Sequence, residues 1–294
     1  MPNGIIIIDK PRNWTSMDVC AKLRRLLGER RVGHAGTLDP MATGVLTVFV
    51  GRATRGAEFA EGGEKEYLAT LQLGLETDTQ DTTGQVLHQR PVTCTRADIE
   101  AVLPRFRGDI LQVPPMYSAL KRNGKKLYQL ARAGKTVERP PRPVTIYALE
   151  LGEELAPGAY ALRVRCSKGT YIRTLCHDIG QALGCGGAMA ALRRTQAAGF
   201  TLADAVTLEQ VAAAVEEGRG AELLRPIDSL FAQYPAVTVA GRQERLCRNG
   251  NPFRLEGADG RFRVYGSNNE FLMLGERKAG EMRTVKSFFE PETT

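Results

Sequence analysis

Gly33-His-Ala-Gly-Thr-Leu-Asp39-Pro-Met-Ala-Thr-Gly44-Val-Leu46 is the stretch on which the reading of this chain turns. It holds one carboxylate, Asp39, among residues otherwise short of charge, and Gly33, Gly36 and Gly44 let the backbone turn where a Cβ would resist. Pro40 biases Asp39 away from helical torsions, which puts the aspartate on an extended or turning loop. Behind it, Val45-Leu-Thr-Val-Phe-Val50 has the length and β-branching of a buried strand. A single acid is thereby mounted on a rigid edge. Asp-Pro in a glycine-rich loop is also ordinary turn chemistry, and the Gly-Lys-Ser/Thr ending of a phosphate-binding loop is missing.

The surrounding chain narrows the classes of function. Its 294 residues suffice for two domains with a core each, and a 43% hydrophobic and 25% charged composition is that of a globular protein. The start has four consecutive apolar residues and no basic leader, and no run approaches membrane length, so a cytoplasmic protein with no membrane partner is expected. The six cysteines, Cys20, Cys94, Cys166, Cys176, Cys185 and Cys247, lack a Cys-x-x-Cys pair and read as buried thiols of a reducing compartment. Cys166, Cys176, His177 and Cys185 fit no usual zinc spacing, so no metal is expected. Net charge is +7, and residues 121–142 alone carry eight bases (Lys121, Arg122, Lys125, Lys126, Arg132, Lys135, Arg139 and Arg142) against Glu138. The remainder therefore nets to zero. Leu127, Tyr128 and Leu130 interleave with these bases, as suits an arm lying against an anionic polymer, nucleic acid above all.

Read in order, Gly4 to Asp9 is a central strand buried on both faces, with Lys10 at its end. Thr15 and Asp18 cap a helix whose apolar face is Val19, Leu23, Leu26 and Leu27, and Gly28 stops it. In Lys65 to Leu73, Tyr67, Ala69, Leu71 and Leu73 share one face of a strand. Thr77 to Gly84 is a polar turn, and Thr95 with Asp98 caps a short helix. Val144–Leu151 and Tyr160–Cys166 read as strands. Thr170 then caps a helix with Ile172, Leu175, Ile179 and Leu183 as its stripe. Arg173 sits in the first turn of that helix, off the stripe and against the helix dipole, so its partner lies elsewhere. Thr207 and Gln210 open a last helix. From about Tyr234, short runs separated by Gly and Asn suggest a small β-rich domain, and the Glu-Pro-Glu-Thr-Thr end is expected to fray. The fold class is α+β, divided at 1–233 and 234–294.

Four blocks, His34–Leu46, Val113–Lys121, Gly169-Thr-Tyr-Ile-Arg173 and Ala188–Phe200, together resemble the TruB family of tRNA pseudouridine synthases. The resemblance implies a mixed, largely antiparallel central sheet flanked by helices, a basic thumb insertion at about 121–142 and a PUA-like C-terminal domain. It also implies isomerisation of the T-loop uridine of tRNA, position 55, to pseudouridine, without metal or redox cofactor. Asp39 would be the nucleophile, attacking uracil or ribose or assisting a glycal route, three options that stay open. Arg173 would pair with it and hold it charged in a closed pocket where desolvation opposes ionisation. Tyr67 would stack on the everted uracil and move a proton, His34 would pack on the disrupted RNA, and Tyr171, Leu192 and Lys10 would line the pocket. Lys121, Arg122, Lys125, Lys126 and Arg132 would meet the RNA backbone. The expected partner is the tRNA T stem-loop, bound by a monomer. Two rivals share parts of this pattern: an RNA chaperone without chemistry, and a guide-RNA-dependent synthase of the dyskerin kind, against which the basic arm argues.

Overall fold

Four isoleucines in a row leave no polar face, and the strand they form, β1 (Gly4–Lys10), is buried on both sides. Ile6 and Ile8 enter one core, Ile5 and Ile7 a second on the opposite face. Each such side chain contributes roughly 1.5–3 kcal/mol by leaving water, so the strand fixes two layers at once. The computed structural model describes residues 2–122 and 124–289. The expectation for the chain end, 290–294, lies outside them.

Helix α1 (Ser16–Leu27) starts on the Thr15/Asp18 capping box and ends at Gly28, whose φ of 62° only glycine adopts cheaply. β2 (Val32–Ala35) and β3 (Thr43–Val50) flank the Asp39 loop, and β4 (Lys65–Leu73) turns Tyr67, Ala69, Leu71 and Leu73 inward. Helix α2 (Arg96–Val102) begins on the Thr95/Asp98 box. Next come β5 (Gly108–Gln112), the short helix α3 (Leu127–Arg132), β6 (Arg142–Ala156), β7 (Ala159–Cys166), helix α4 (Ile172–Ala182), β8 (Gly187–Ala197) and helix α5 (Leu208–Glu216).

The main sheet has nine strands, ordered β1-β3-β8-β4-β7-β6-β5, with β2 beside β3 and Phe200–Thr201 beside β8. Its pairs are antiparallel except β3 with β8, which run parallel at Thr43–Arg193 and Gly44–Arg194. β1 is therefore marginal, not central. Its outer edge is closed by irregular chain: Ile5 and Arg225 exchange backbone hydrogen bonds of 2.8 and 2.7 Å, Asp9 N donates to Val206 O at 3.0 Å, and Val206 N donates to Ile7 O at 2.9 Å. An edge satisfied in this way offers no template for foreign strands.

A second, five-stranded sheet follows from β9 (Ala236–Thr238), β10 (Phe253–Arg254), β11 (Gly260–Tyr265), β12 (Phe271–Lys278) and β13 (Glu281–Ser287), in the order β9-β11-β12-β13-β10. Helix α6 (Gly241–Arg248), which the short apolar runs did not suggest, precedes β10. Leu274 of this sheet and Phe288, just past β13, share a core with Ile5, Ile7, Val45, Phe49 and Phe231. The C-terminal unit is thus packed against the β1–β3 end of the main sheet.

Candidate active site

Asp39 lies in the connection from β2 to β3, and the segment between β1 and α1 holds that connection from below. Lys10 Nζ donates to the carbonyls of Trp14 at 2.6 Å, Pro11 at 2.9 Å and Pro40 at 3.3 Å. Asn13 N also donates to Pro40 O at 2.8 Å. Ser16 Oγ accepts from Leu38 N at 3.0 Å. The backbone is thereby fixed on both sides of the carboxylate. Lys10 does not line a pocket wall as expected, being fully buried beneath the loop. Burial pulls its ammonium down to about 8, and the nearby Asp39 charge opposes that pull.

Arg173 enters from the first turn of α4. Its Nε meets Asp39 Oδ2 at 2.9 Å and its Nη2 meets Oδ1 at 3.2 Å, a two-pronged pair spanning 134 residues of sequence. The rest of the guanidinium is held as firmly, with Nη1 donating to Thr79 O at 3.0 Å and Nη2 to Tyr117 O at 2.8 Å. Asp81 adds a carboxylate oxygen 3.9 Å from Nε. Asp81 went unnoticed in the polar turn, where its Oδ1 accepts from Thr79 Oγ1, Thr83 N and Thr83 Oγ1. The closed pocket expected around Asp39 is not formed by the protein itself. The Asp39 side chain is 36% exposed, whereas that of Arg173 is 6% exposed: a buried cation presents a carboxylate outward.

Thr170 is not the cap of α4; the helix starts one residue later, with Tyr171 in the capping position. Gln112 serves instead, its carboxamide accepting from Tyr171 N at 2.8 Å and donating to Tyr171 O at 3.0 Å. The Tyr171 phenol is pushed up by burial and lies beside Ser118, with Arg173 countering. Tyr67 is 6% exposed on β4, so its ring stands in the core face with Leu192 of β8. Burial raises the Tyr67 phenol, and the Arg194 guanidinium beside its hydroxyl counters that rise. His34 sits at the end of β2 with Nδ1 buried and unpartnered, and burial together with the Arg194 charge holds its imidazole below the usual range. The Asp39 charge acts on both phenols, Tyr67 and Tyr171, and that of Arg173 on Tyr171, while Leu192 is chiefly core.

The basic arm is rooted at the same place. Tyr117, whose carbonyl receives Arg173, leads into a hairpin of Lys121–Arg122 against Lys125–Lys126 and then α3. Lys121, Arg122, Lys125 and Arg132 are exposed and Lys126 partly so; Lys126 and Arg132 flank the Tyr128 ring at 5.6 and 5.4 Å. Among the described residues, no three His, Cys, Asp or Glu side chains converge as a metal site.

Comparison with known proteins bears on this arrangement over nearly its whole length. Residues 24–172 match the model of the TruB family pseudouridylate synthase N-terminal domain, and residues 173–232 match that of the tRNA pseudouridylate synthase B C-terminal domain. A tRNA pseudouridine synthase B of Stutzerimonas stutzeri (strain A1501) is 49% identical over 280 residues, covering 93% of this chain and 91% of that protein. One of Ralstonia pickettii (strain 12J) is 48% identical over 271 residues, covering 90% and 85%. Among solved structures, a Cbf5-Nop10-Gar1 complex contains a chain 25% identical that superposes with a TM-score of 0.73 over 98% of this chain and 86% of that one. With matches of this extent, the chain belongs to the TruB family of pseudouridylate synthases.

Proposed function

We propose that this protein converts a uridine of tRNA, the T-loop uridine at position 55, to pseudouridine with Asp39 as the nucleophile. The observation that carries this reading is the Asp39–Arg173 pair, in which a buried, fully engaged guanidinium fixes both carboxylate oxygens while the acid keeps an exposed side. The reaction breaks the bond from N1 to C1′, turns the uracil and joins C5 to C1′. The C5 proton leaves and N1 ends protonated, so nothing is consumed. Asp39 adds to the ring or the ribose, or assists elimination, at the face it leaves open. A uracil everted from the loop supplies the missing wall of the pocket, which is how an acid exposed in the protein alone comes to work in a drier site. Tyr67 and Tyr171 flank that base, His34 packs where it left the stack, and the arm bases meet backbone phosphates. Remodelling of tRNA by the same grip is compatible with the chemistry and separate from it.

A second reading, dependence on a guide RNA, has one observation in its favour: the similar fold found in a Cbf5-Nop10-Gar1 complex. Purified protein mixed with an unmodified tRNA transcript and no other RNA decides between them. Pseudouridine mapped at the T-loop uridine alone supports stand-alone action there. Modification elsewhere refutes the position, and no modification refutes stand-alone action.

A further inference from the structure

The largest fully buried side chain of the described residues is a cation, Arg194 of β8, 1% exposed. Its Nε donates to Val45 O at 2.7 Å and its Nη2 to Gly36 O at 2.8 Å, one carbonyl on each side of Asp39. Arg194 and Tyr67 are cross-strand partners on β8 and β4, so their side chains leave the sheet on the same face. Two of the loop glycines are shaped around this residue. Gly44 has φ of 100°, and a Cβ there would stand 2.2 Å from the Arg194 carbonyl oxygen; Gly36 has φ of 68°, and a Cβ there would stand 3.2 Å from Nη1. Taking an arginine out of water is costly, yet here its hydrogen bonds go to neutral carbonyls. A hydrophobic side chain would fill the space with less penalty.

We propose that Arg194 is a positioning residue for the isomerisation: one rigid fork clamps the loop on both sides of Asp39 and stands beside its cross-strand neighbour Tyr67, and so sets the acid and the phenol in register. The proposal rests on the reading of Asp39 and Tyr67 given above and adds to it the element that couples them. Lysine keeps the charge and can reach one of the two carbonyls; glutamine keeps neither charge nor fork. Arg173 cannot substitute, because its donors are engaged on the other side of the acid.

The test is the single-turnover rate on an unmodified tRNA transcript, with RNA affinity measured separately, for Arg194→Gln and Arg194→Lys, each alone and with Tyr67→Phe. Arg194→Gln is expected to slow turnover about 100-fold with affinity within about threefold, since misplacement by an ångström costs that much. Arg194→Lys is expected to recover about tenfold of that loss. With the hydroxyl already removed by Tyr67→Phe, the further cost of either substitution shrinks, because part of its effect ran through that group. Costs that multiply independently, a rate unaffected in Arg194→Gln, or equal loss in both variants overturns the proposal. If Arg194→Gln does not fold, the lysine variant alone, with and without Tyr67→Phe, gives the same decision. An Asp39→Asn control separates the outcomes: product formed by that control sinks the reading of the site, whatever Arg194 does.

Discussion

The Asp39 loop and the basic arm are tied together through Arg173 and the Tyr117 carbonyl but are built by opposite rules. Around Asp39, backbone carbonyls are claimed by Lys10, Asn13 and Arg194, the carboxylate by Arg173, and Arg173 itself by two further carbonyls. In the arm, a two-pair hairpin and one buried anchor, Leu127, support several bases whose charged ends are exposed. On the proposed function, the contrast follows from what each part must do. Bond rearrangement is sensitive to displacements below an ångström, whereas attraction to a polyanion depends on charge count and tolerates motion. On that function, order is concentrated where geometry would limit the rate, and the arm is left with charge.

That contrast can be broken experimentally, most severely at Asp39. Asp39→Asn is expected to abolish pseudouridine formation while RNA affinity stays within a few fold; lost affinity would mean that the loop also grips RNA. Arg173→Lys keeps the charge but not the fork, and its single-turnover rate is expected to fall about 100-fold at saturating tRNA. A rate near wild type would show that field alone suffices. Changing Lys121, Arg122, Lys125, Lys126 and Arg132 together to Gln should leave that saturated rate within a few fold. It should also flatten the dependence of log affinity on log salt, from a slope of about three to four if about four phosphates are met. An unchanged slope would remove the arm from the interface. The smallest effect is at Lys10, whose ammonium ionises at about 8 with Asp39 opposing the shift. Removing that negative charge in Asp39→Asn should move the ionisation further below 8, read from the ¹⁵Nζ resonance. Because the folded value lies below the ordinary 10.5, the cost of burying this charge is present below pH 8 and is relieved as pH rises toward 10.5. In the variant that relief should begin at lower pH.

Local signals were legible where neighbours in sequence are neighbours in space. The Thr15/Asp18 box, the αL stop at Gly28 and the alternation of Tyr67, Ala69, Leu71 and Leu73 all appear as read. Arg173 announced itself by sitting in the wrong electrostatic place on its helix, and its partner was found 134 residues away. What stayed hidden depends on long-range pairing. The marginal place of β1 follows from hydrogen bonds to residues 206 and 225, which no local pattern encodes. Asp81 was one polar residue of a turn, and Gln112 one residue of a strand end. Arg194 did leave a trace. On a strand, Leu192 and Arg194 point the same way, so an arginine on an inward face was there to be noticed; adjacency to Arg193, which pairs outward with Asp9, disguised it.

The threads that finish the Asp39 loop come from late in the chain: Arg173, then Arg194, then the segment through Arg225 that seals the margin of β1. A polypeptide emerging from the ribosome therefore carries Asp39 long before it has the groups that aim it. Domains generally complete their folding as units once their distant contacts are available, so the half-made protein holds an acid without direction. Its basic arm also emerges before Arg173. If Asp39 and the arm act as proposed, a nascent chain can attract RNA before it can alter it, and competence arrives in one late step once Arg225 has emerged.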